Sequence, residues 1–537
     1  MSSCSREPSS TPDPGPAPRT TEALAHVLLL LTVALVLRVP SISRESLWID
    51  EGWSLWFAQL KQIEIWGDAS RIELHPPLYY ALLHFWVRAF GTSDVALRSL
   101  STVLNLLTVP VVYGIGRWTA GKRVGLLAGV LFGLTFGQLQ YAHEARMYSL
   151  LVLAIACILG CCVYIVVRYN AKASAQPWTP YALLGLALAL AVWSHNIGVI
   201  YAACGAACIG VWWLLGTQCA RAVFCRLSLA AFICLLAAGP ALYTLLRYTM
   251  QNASEFWLTA PDLYYLLLQL TVIFGADLNL EPFWAIMLAW AALYMPWPII
   301  GTWFALHQDR KQCWGVGMVL GLSVGLIVVN LVLTYTYKPL FMMRTALPAQ
   351  VGWCVLCSYA VLGLAGRIQQ GIATVLVGCF AMGALSYHSM RPESVRKPPW
   401  REAVQSIARR APEGSRVYTP ANRASLVQHY GHEAFEARAI QVVPLPHPLV
   451  VPDVSACRDT AEGCPFFVAR NIDSEDIVGL VEHWRAGSQP WFIFEEGNGL
   501  LLQGVPHFQA LLKEVAKPEE VMIFERRQDV RVGHPPL

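Results

Sequence analysis

The sequence predicts a polytopic α-helical membrane protein with a small α/β domain at its C-terminal end. Of its 537 residues, 55% are hydrophobic and 14% are charged, and the mean hydropathy of +0.46 is too high for a soluble protein. Apolar runs near the ~20 residues that a bilayer requires recur as far as about Tyr387, and the sequence beyond is polar. We therefore expect a disordered cytoplasmic tail at 1–23, a transmembrane catalytic domain at 24–390 and an exoplasmic α/β domain at 391–537.

About eleven of the apolar runs qualify as transmembrane helices by length and composition. They lie at roughly 25–39, 95–116, 124–141, 147–168, 180–195, 197–217, 227–247, 283–306, 312–336, 345–365 and 369–388. Four basic clusters then fall on one side: Arg117 with Lys122 and Arg123, Arg168 with Lys172, Arg221 with Arg226, and Arg310 with Lys311. The positive-inside rule makes that side cytoplasmic. The first run has no small-residue cleavage site after it, which favours a signal anchor over a cleaved signal peptide.

The first exoplasmic loop, at 41–94, is predicted to carry two helices in the membrane interface. Residues 75–91 are apolar but short, begin with two prolines after His75, and contain His84 and Arg88. A transmembrane span at this point would break the charge asymmetry, so we interpret the segment as an amphipathic interfacial helix. Residues 53–66, with four aromatic side chains among polar ones, predict a second such helix. The stretch 261–274 is ambiguous between an interfacial and a re-entrant segment.

Alternating strand-like and helix-like segments predict the α/β domain at 391–537. The expected strands begin at Arg416, Pro465, Pro490 and Val521, and the expected helices are Trp400–Arg410, Ser474–Ala486 and Phe508–Ala516. With eleven spans this domain lies on the same side as Asp50. Cys457 and Cys464 lie in this polar region and could form a disulfide if it faces an oxidising compartment. Most of the other cysteines lie in apolar runs, where a thiol behaves as a small hydrophobe.

Two adjacent carboxylates, Asp50 and Glu51, follow the first span by about ten residues. Acids placed near a membrane surface suit chemistry on a lipid-carried substrate, although a solvated helix start is the simpler alternative. Transfer of a glycosyl group from a lipid phosphate needs a base and cations that hold the departing phosphate. The acid pair can supply the base. Arg146, Arg344 and Lys338, on the same predicted side, can bind the phosphate.

Several motifs in this order resemble the GT-C superfamily of membrane glycosyltransferases. They are Trp48-Ile49-Asp50-Glu51, His75-Pro76-Pro77-Leu78-Tyr79-Tyr80, Ala96-Leu97-Arg98-Ser99-Leu100-Ser101, Tyr141-Ala142-His143-Glu144-Ala145-Arg146-Met147-Tyr148, Trp193-Ser194-His195-Asn196, the segment from Pro339 to Arg344, and the segment from Lys397 to Ala403. The most similar branch contains the protein O-mannosyltransferases and the aminoarabinose transferases. The resemblance covers about residues 25–405 and implies the GT-C fold for the transmembrane domain.

The resemblance also implies roles for individual residues. Asp50 would be the catalytic base or the group that orients the acceptor, helped by Glu51, and the donor would be a polyprenyl-phosphate sugar attacked with inversion. Glu144 would contact substrate beside the phosphate-binding Arg146, unless the two form a structural ion pair. Where relatives that modify lipid A carry an acid and a lysine, this chain has Leu74-His75. This departure weakens the prediction of an aminoarabinose donor and of a metal.

Three further side chains are candidates for the same site, each with a structural alternative. His75 could contact the donor phosphate or could hydrogen-bond in a turn before the two prolines. Tyr148 and His195 could bind substrate, or could belong to the aromatic belt and to the interface respectively. No metal ligands are assigned and no cofactor is firmly implied, although a divalent cation is possible.

The sequence thus predicts an integral membrane glycosyltransferase. Its partners would be a polyprenyl-phosphate sugar, a glycan, lipid or protein acceptor, and the bilayer; the net charge of +4 argues against nucleic acid. The expected location is the plasma or inner membrane with the active site exoplasmic, or the ER membrane if the source is eukaryotic. A transporter or lipid-linked-sugar flippase is the main alternative, but transporters typically show repeated halves and broken mid-membrane segments. A second alternative is a catalytically inactive scaffold.

Overall fold

The computed structural model describes residues 20–67, 75–169, 177–217, 219–251, 260–274, 296–307, 310–364, 366–389, 397, 400–410, 413–414, 416–445, 466–469, 492–495, 512–516 and 521–526. The predicted tail at 1–23 lies almost entirely outside these ranges. Cys457, Cys464 and the helix predicted at Ser474–Ala486 also lie outside the described residues.

Most of the described chain up to residue 389 is helical. The helices are α1 (Thr20–Arg38), α2 (Ile49–Gln59), α3 (Gln62–Trp66), α4 (Leu78–Phe90), α5 (Asp94–Ala120), α6 (Lys122–Leu134), α7 (Phe136–Ala142), α8 (Tyr148–Arg168), α9 (Thr179–Ser194), α10 (Gly198–Val211), α11 (Arg221–Gln251), α12 (Leu263–Phe274), α13 (Pro296–Leu306), α14 (Arg310–Gly321), α15 (Val324–Thr336), α16 (Met343–Ala346), α17 (Ala349–Gly363) and α18 (Gly366–Ser389).

Within the described ranges, seven helical segments are long and apolar enough to cross a membrane. The pair α6 and α7, bent by 59°, would make an eighth if it is one span. Helices α9 and α17 are apolar but shorter, and of the span predicted at 283–306 only Pro296–Leu306 is described. The protein is therefore a multi-pass membrane protein, while the count of eleven stays a prediction.

In the described part of the loop at 41–94, which was predicted to be exoplasmic, there are three helices where two were predicted. The predicted helix at 53–66 begins earlier, at Ile49, and is divided into α2 and α3 at Leu60 and Lys61, whose backbones are extended. The predicted helix at 75–91 is α4, which starts immediately after Pro77. The early start of α2 matters because it places both acids in the first helical turn. The predicted interfacial position of these helices stays a prediction.

Where the structure describes the polar C-terminal residues, they form helices α19 (Trp400–Arg410) and α20 (Ala421–Glu436) and six strands: β1 (Arg416–Pro420), β2 (Gln441–Leu445), β3 (Phe466–Ala469), β4 (Phe492–Glu495), β5 (Leu512–Ala516) and β6 (Val521–Arg526). The strand order is β2-β1-β3-β4-β6-β5. The first four strands in this order are parallel, and β6 pairs antiparallel with both β4 and β5.

The helix predicted at Phe508–Ala516 is wrong over its second half, because Leu512–Ala516 is the edge strand β5. Its apolar residues recur at a helical spacing, but pairing with β6 outweighs that local preference. The sequence analysis did not predict strand β2, which contains Pro444. It lies at the other edge of the sheet, where a residue without an N–H is tolerated.

Close contact between α5 and α6 depends on small residues. Gly121 joins the two helices with a φ of +93°, a conformation that glycine adopts without strain. A Cβ added to Gly125 would lie 2.5 Å from the carbonyl oxygen of Tyr113 on the facing helix. Small residues at such crossings let transmembrane helices pack backbone to backbone.

We expect Gly125→Ala to lower the melting temperature of the detergent-solubilised protein, because the new methyl group collides with a backbone that cannot move aside. Gly210→Ala in α10 is the matched control, since a Cβ there meets nothing within 4 Å. Alanine favours a helix over glycine by roughly 0.5–1 kcal/mol, so the control should be neutral or stabilising. Equal melting temperatures for the two variants would contradict the close packing of α5 on α6.

Candidate active site

Helix α2 presents its two acids in different directions. Asp50 and Glu51 are consecutive residues of the first turn, where carboxylates interact favourably with the helix dipole. Successive side chains on an α-helix are about 100° apart, so neighbours in sequence do not share a face. Glu51 is 0% exposed, whereas the Asp50 side chain is 25% exposed. The pair therefore divides into one buried and one accessible carboxylate.

Glu51 lies at the centre of a buried network of hydrogen bonds. Arg98 of α5 donates from Nε to Oε1 and from Nη2 to Oε2, each at 2.8 Å. Lys397 Nζ donates to Oε2 at 2.9 Å, and the Ala145 backbone N–H donates to Oε1 at 3.0 Å. Burial by itself would raise the pKa of Glu51, but Arg98 and Lys397 outweigh it and lower the pKa to about 2. Glu51 is an anion with its lone pairs already used.

The same arginine fixes the chain that precedes the acids. Beyond Glu51, Arg98 donates to the backbone carbonyls of Ile42, Glu45 and Ser46. Sequence reasoning noticed Arg98 and Lys397 only as members of motifs and assigned them no role. A fully buried charge needs a partner, but nothing in the sequence showed that Glu51 was that partner.

Asp50 faces two arginines that come from different loops. Arg344 Nη1, on α16, lies 3.2 Å from Asp50 Oδ2, and Arg146 Nη1 donates to the Asp50 backbone carbonyl at 3.3 Å. Arg146 also donates to the Tyr80 hydroxyl at 2.8 Å, and the Arg344 guanidinium lies 5.7 Å from the centre of the Tyr148 ring. The structure thus brings together Asp50, Arg146, Arg344 and Tyr148, all predicted as site residues.

Two histidines lie beside these arginines. The rings of His75 and His195 are 4.4 Å apart, and that of His195 is 5.9 Å from Tyr148. Burial, the neighbouring His195 and the two arginines lower the pKa of His75 well below its ordinary value. Burial and the same arginines lower the pKa of His195 to about 3. Both imidazoles are neutral at physiological pH, so each offers one donor and one acceptor nitrogen.

Glu144 is a buried carboxyl in the turn between α7 and α8. It is 4% exposed, and within the described part of the chain its Oε2 has no hydrogen-bond partner. Burial raises its pKa to about 7, opposed by the nearby Lys397 and assisted by Glu51. At neutral pH the group is divided between its acid and its carboxylate.

Lys338 lies in the turn after α15 and is partly buried, with its backbone N–H donating to Leu333 O. Its phosphate-binding role stays a prediction. The described residues contain no group of three or more His, Cys, Asp or Glu side chains placed to hold a metal ion. The described chain therefore assigns no ligands to the divalent cation that the sequence leaves possible.

We expect Glu144→Gln to remove a pH dependence of stability. The folded-state pKa of about 7 lies above the ordinary value of 4.5, so wild type loses stability as pH rises between these values. The variant should match wild type near pH 5 and exceed it by about 2–3 kcal/mol near pH 8.5, measured by unfolding in detergent. Glu64→Gln, at an exposed acid, should show no such difference. Parallel stability curves for wild type and Glu144→Gln would contradict the raised pKa.

Comparison with solved structures relates the fold of this chain to that of known proteins. ArnT from Cupriavidus metallidurans bound to undecaprenyl phosphate aligns over 94% of this chain and 99% of its own, with a TM-score of 0.58 and 14% identity. The apo form of the same protein gives a TM-score of 0.59 at 14% identity, over 94% of this chain and 98% of its own. The apo oligosaccharyltransferase from Archaeoglobus fulgidus aligns over 96% of this chain and 76% of its own, with a TM-score of 0.53 and 11% identity.

No protein-family model and no curated protein sequence matches the chain. At 11–14% identity the likeness is one of fold. It spans nearly the full length of the chain. The chain therefore has the GT-C fold of membrane glycosyltransferases, as its sequence resemblance predicts.

Proposed function

We propose that this protein is an integral membrane glycosyltransferase that moves a sugar from a polyprenyl phosphate to an acceptor on the exoplasmic face. The observation that carries the proposal is the accessible carboxylate of Asp50 in contact with Arg344 and backed by Arg146. An acid that can accept a proton and two cations that can hold a phosphate are the groups that this transfer needs. The fold it shares with a protein bound to undecaprenyl phosphate supports the donor class.

The ion pair between Asp50 and Arg344 suggests how donor binding prepares the base. A phosphate is a stronger bidentate partner for a guanidinium than a partly exposed carboxylate. When the donor phosphate engages Arg344 and Arg146, Asp50 loses its cation and becomes a better proton acceptor. It then takes the proton of the acceptor hydroxyl, whose oxygen attacks the anomeric carbon opposite the phosphate, so the configuration inverts. The arginines stabilise the charge on the departing phosphate.

The remaining residues take supporting roles in this proposal. Glu51 holds Asp50 in place and does not react, because its oxygens are already occupied by Arg98, Lys397 and the Ala145 N–H. The neutral imidazoles of His75 and His195 suit sugar hydroxyls or phosphate oxygens. Glu144 and Tyr148 would contact substrate, and Lys338 would add a further charge for the phosphate. The donor is a hexosyl or pentosyl phosphate lipid, and the acceptor a glycan, lipid or protein.

The decisive variant is Asp50→Asn, which keeps the size of the side chain but cannot accept the proton. We expect transfer to fall by about 100-fold or more, with one lipid-linked sugar accumulating and one glycoform lost. The measurement is mass spectrometry of polyprenyl-phosphate sugars and surface glycans in a null strain that carries wild type or the variant.

Glu64→Gln is the matched control, since Glu64 is an exposed acid of α3 in the same loop. It should restore every glycoform. If a well-expressed Asp50→Asn protein also restores every glycoform, Asp50 is not the base. If even the null strain shows no change in lipid-linked sugars or glycans, the protein is not the proposed transferase.

Glu51→Gln should lower the stability of the protein, whereas Asp50→Asn should lower its turnover. Removing the charge of Glu51 leaves Arg98 buried without an anion, a loss of about 3–5 kcal/mol by analogy with other broken buried pairs. We expect a lower melting temperature and poor accumulation in the membrane, while Asp50→Asn melts with wild type. Because the pKa of Glu51 is about 2, the wild-type contribution is complete above about pH 4.5 and is lost only as pH falls below it. A stable but inactive Glu51→Gln would instead make Glu51 a reacting group.

A further inference from the structure

The residue that joins the C-terminal region to the acid pair is Lys397. It lies between the end of α18 at Ser389 and the start of α19 at Trp400. Its ammonium group donates to Glu51 Oε2 at 2.9 Å and to the His143 backbone carbonyl at 3.2 Å. Its side chain is 11% exposed. A lysine is rarely buried unless it is paired, and this one has two partners on two different segments.

These two segments carry the groups that must cooperate. Glu51 is the neighbour of Asp50 on α2, and His143 belongs to the turn that also carries Arg146. The Ala145 N–H bond to Glu51 already links the segments. Lys397 adds a second link through Oε2, which it shares with Arg98, and through the His143 carbonyl. The distance between the base and the phosphate-binding arginine therefore depends on a residue that follows the last span.

A second set of contacts anchors the C-terminal region near Lys397. Four residues later in the sequence, Arg401 pairs with Asp94 at the start of α5, and its backbone N–H donates to Ser46 Oγ. The hydroxyl of Tyr430 on α20 donates to Asp94 Oδ2 at 2.9 Å and accepts the Leu47 backbone N–H at 2.6 Å. The start of the C-terminal region is thus bonded both to the loop that leads into α2 and to the first residue of α5.

We infer that Lys397 is a positioning residue for the reaction: it sets the register between Asp50 and Arg146 by clamping Glu51 to the 143–147 turn. The expected effect on kcat rests on the proposed function, but the link between Glu51 and the 143–147 turn is independent of that function. The C-terminal region is then part of the catalytic unit, and its attachment point supplies a group without which the two loops lose their relative placement.

The test compares Lys397→Met with wild type in two measurements on the full-length detergent-solubilised protein. The first is hydrogen exchange followed by mass spectrometry. We expect faster exchange at the backbone N–H groups of Ala145 and Trp48, both of which donate to Glu51, and unchanged exchange in α8. The second is turnover of the lipid-linked sugar. We expect kcat to fall by about 10- to 100-fold with KM for the donor nearly unchanged, because the phosphate-binding arginines are retained.

Lys122→Met is the matched control. Lys122 also pairs with a glutamate, Glu22, but both side chains are largely exposed, so the pair contributes little. It should leave exchange and kcat as in wild type. If Lys397→Met does not accumulate, Lys397→Gln is measured in its place, since its amide still donates a hydrogen bond but carries no charge.

The outcomes separate the two claims. Faster exchange at Ala145 and Trp48 with lower kcat supports the positioning role. Faster exchange in a protein whose wild type transfers no sugar supports the clamp and overturns the proposed function. A lower kcat with unchanged exchange means that Lys397 acts on substrate directly and overturns the positioning role. Unchanged exchange and unchanged kcat overturn it as well.

Discussion

The constraint on which the site depends is the buried charge of Glu51. A carboxylate without solvent access is costly unless several donors surround it, and here the donors come from three separate places: α5, the 143–147 turn and the residue after the last span. Satisfying one anion therefore fixes three distant segments relative to α2. The position of the accessible Asp50 carboxylate is therefore set by the hydrogen bonds of its neighbour Glu51.

This division explains why two adjacent acids serve better than one. A base must face the substrate and remain free to change its protonation, so it cannot also be held by a full set of hydrogen bonds. The 100° step along a helix places the next side chain on another face, where Glu51 can be saturated. Asp50 keeps an ion pair with Arg344, which the donor phosphate would displace in the proposed reaction. In the proposed reaction, Glu51 therefore fixes the structure and Asp50 takes the proton.

The sequence was sufficient for the presence of long apolar helices, because their composition is dictated by the bilayer, and the structure brings the predicted site residues Asp50, Arg146 and Arg344 together. The side of the membrane that they face stays a prediction from the basic residues. The resemblance singled out Asp50 as the base, but the sequence could not show that Glu51 is buried while Asp50 is accessible, since exposure depends on how α2 is rotated against its neighbours. It also could not assign Arg98 or Lys397, whose common partner lies 47 and 346 residues away in the chain. The helix expected at Phe508–Ala516 failed for a related reason, because pairing between strands outweighs local periodicity.

The buried polar residues of the bundle bear on the transporter alternative. Arg38 Nε donates to Asn105 Oδ1, Asn105 Nδ2 to Gln138 Oε1, and Gln138 Nε2 to Gln350 Oε1, at 2.9, 2.7 and 2.6 Å. This series of hydrogen bonds between side chains joins helices α1, α5, α7 and α17. A translocation pathway would need polar groups that turn towards a passing solute, whereas these act as interhelical contacts. The groups that remain accessible, Asp50 above all, lie instead at the start of a loop helix, which suits a substrate that approaches from the membrane surface.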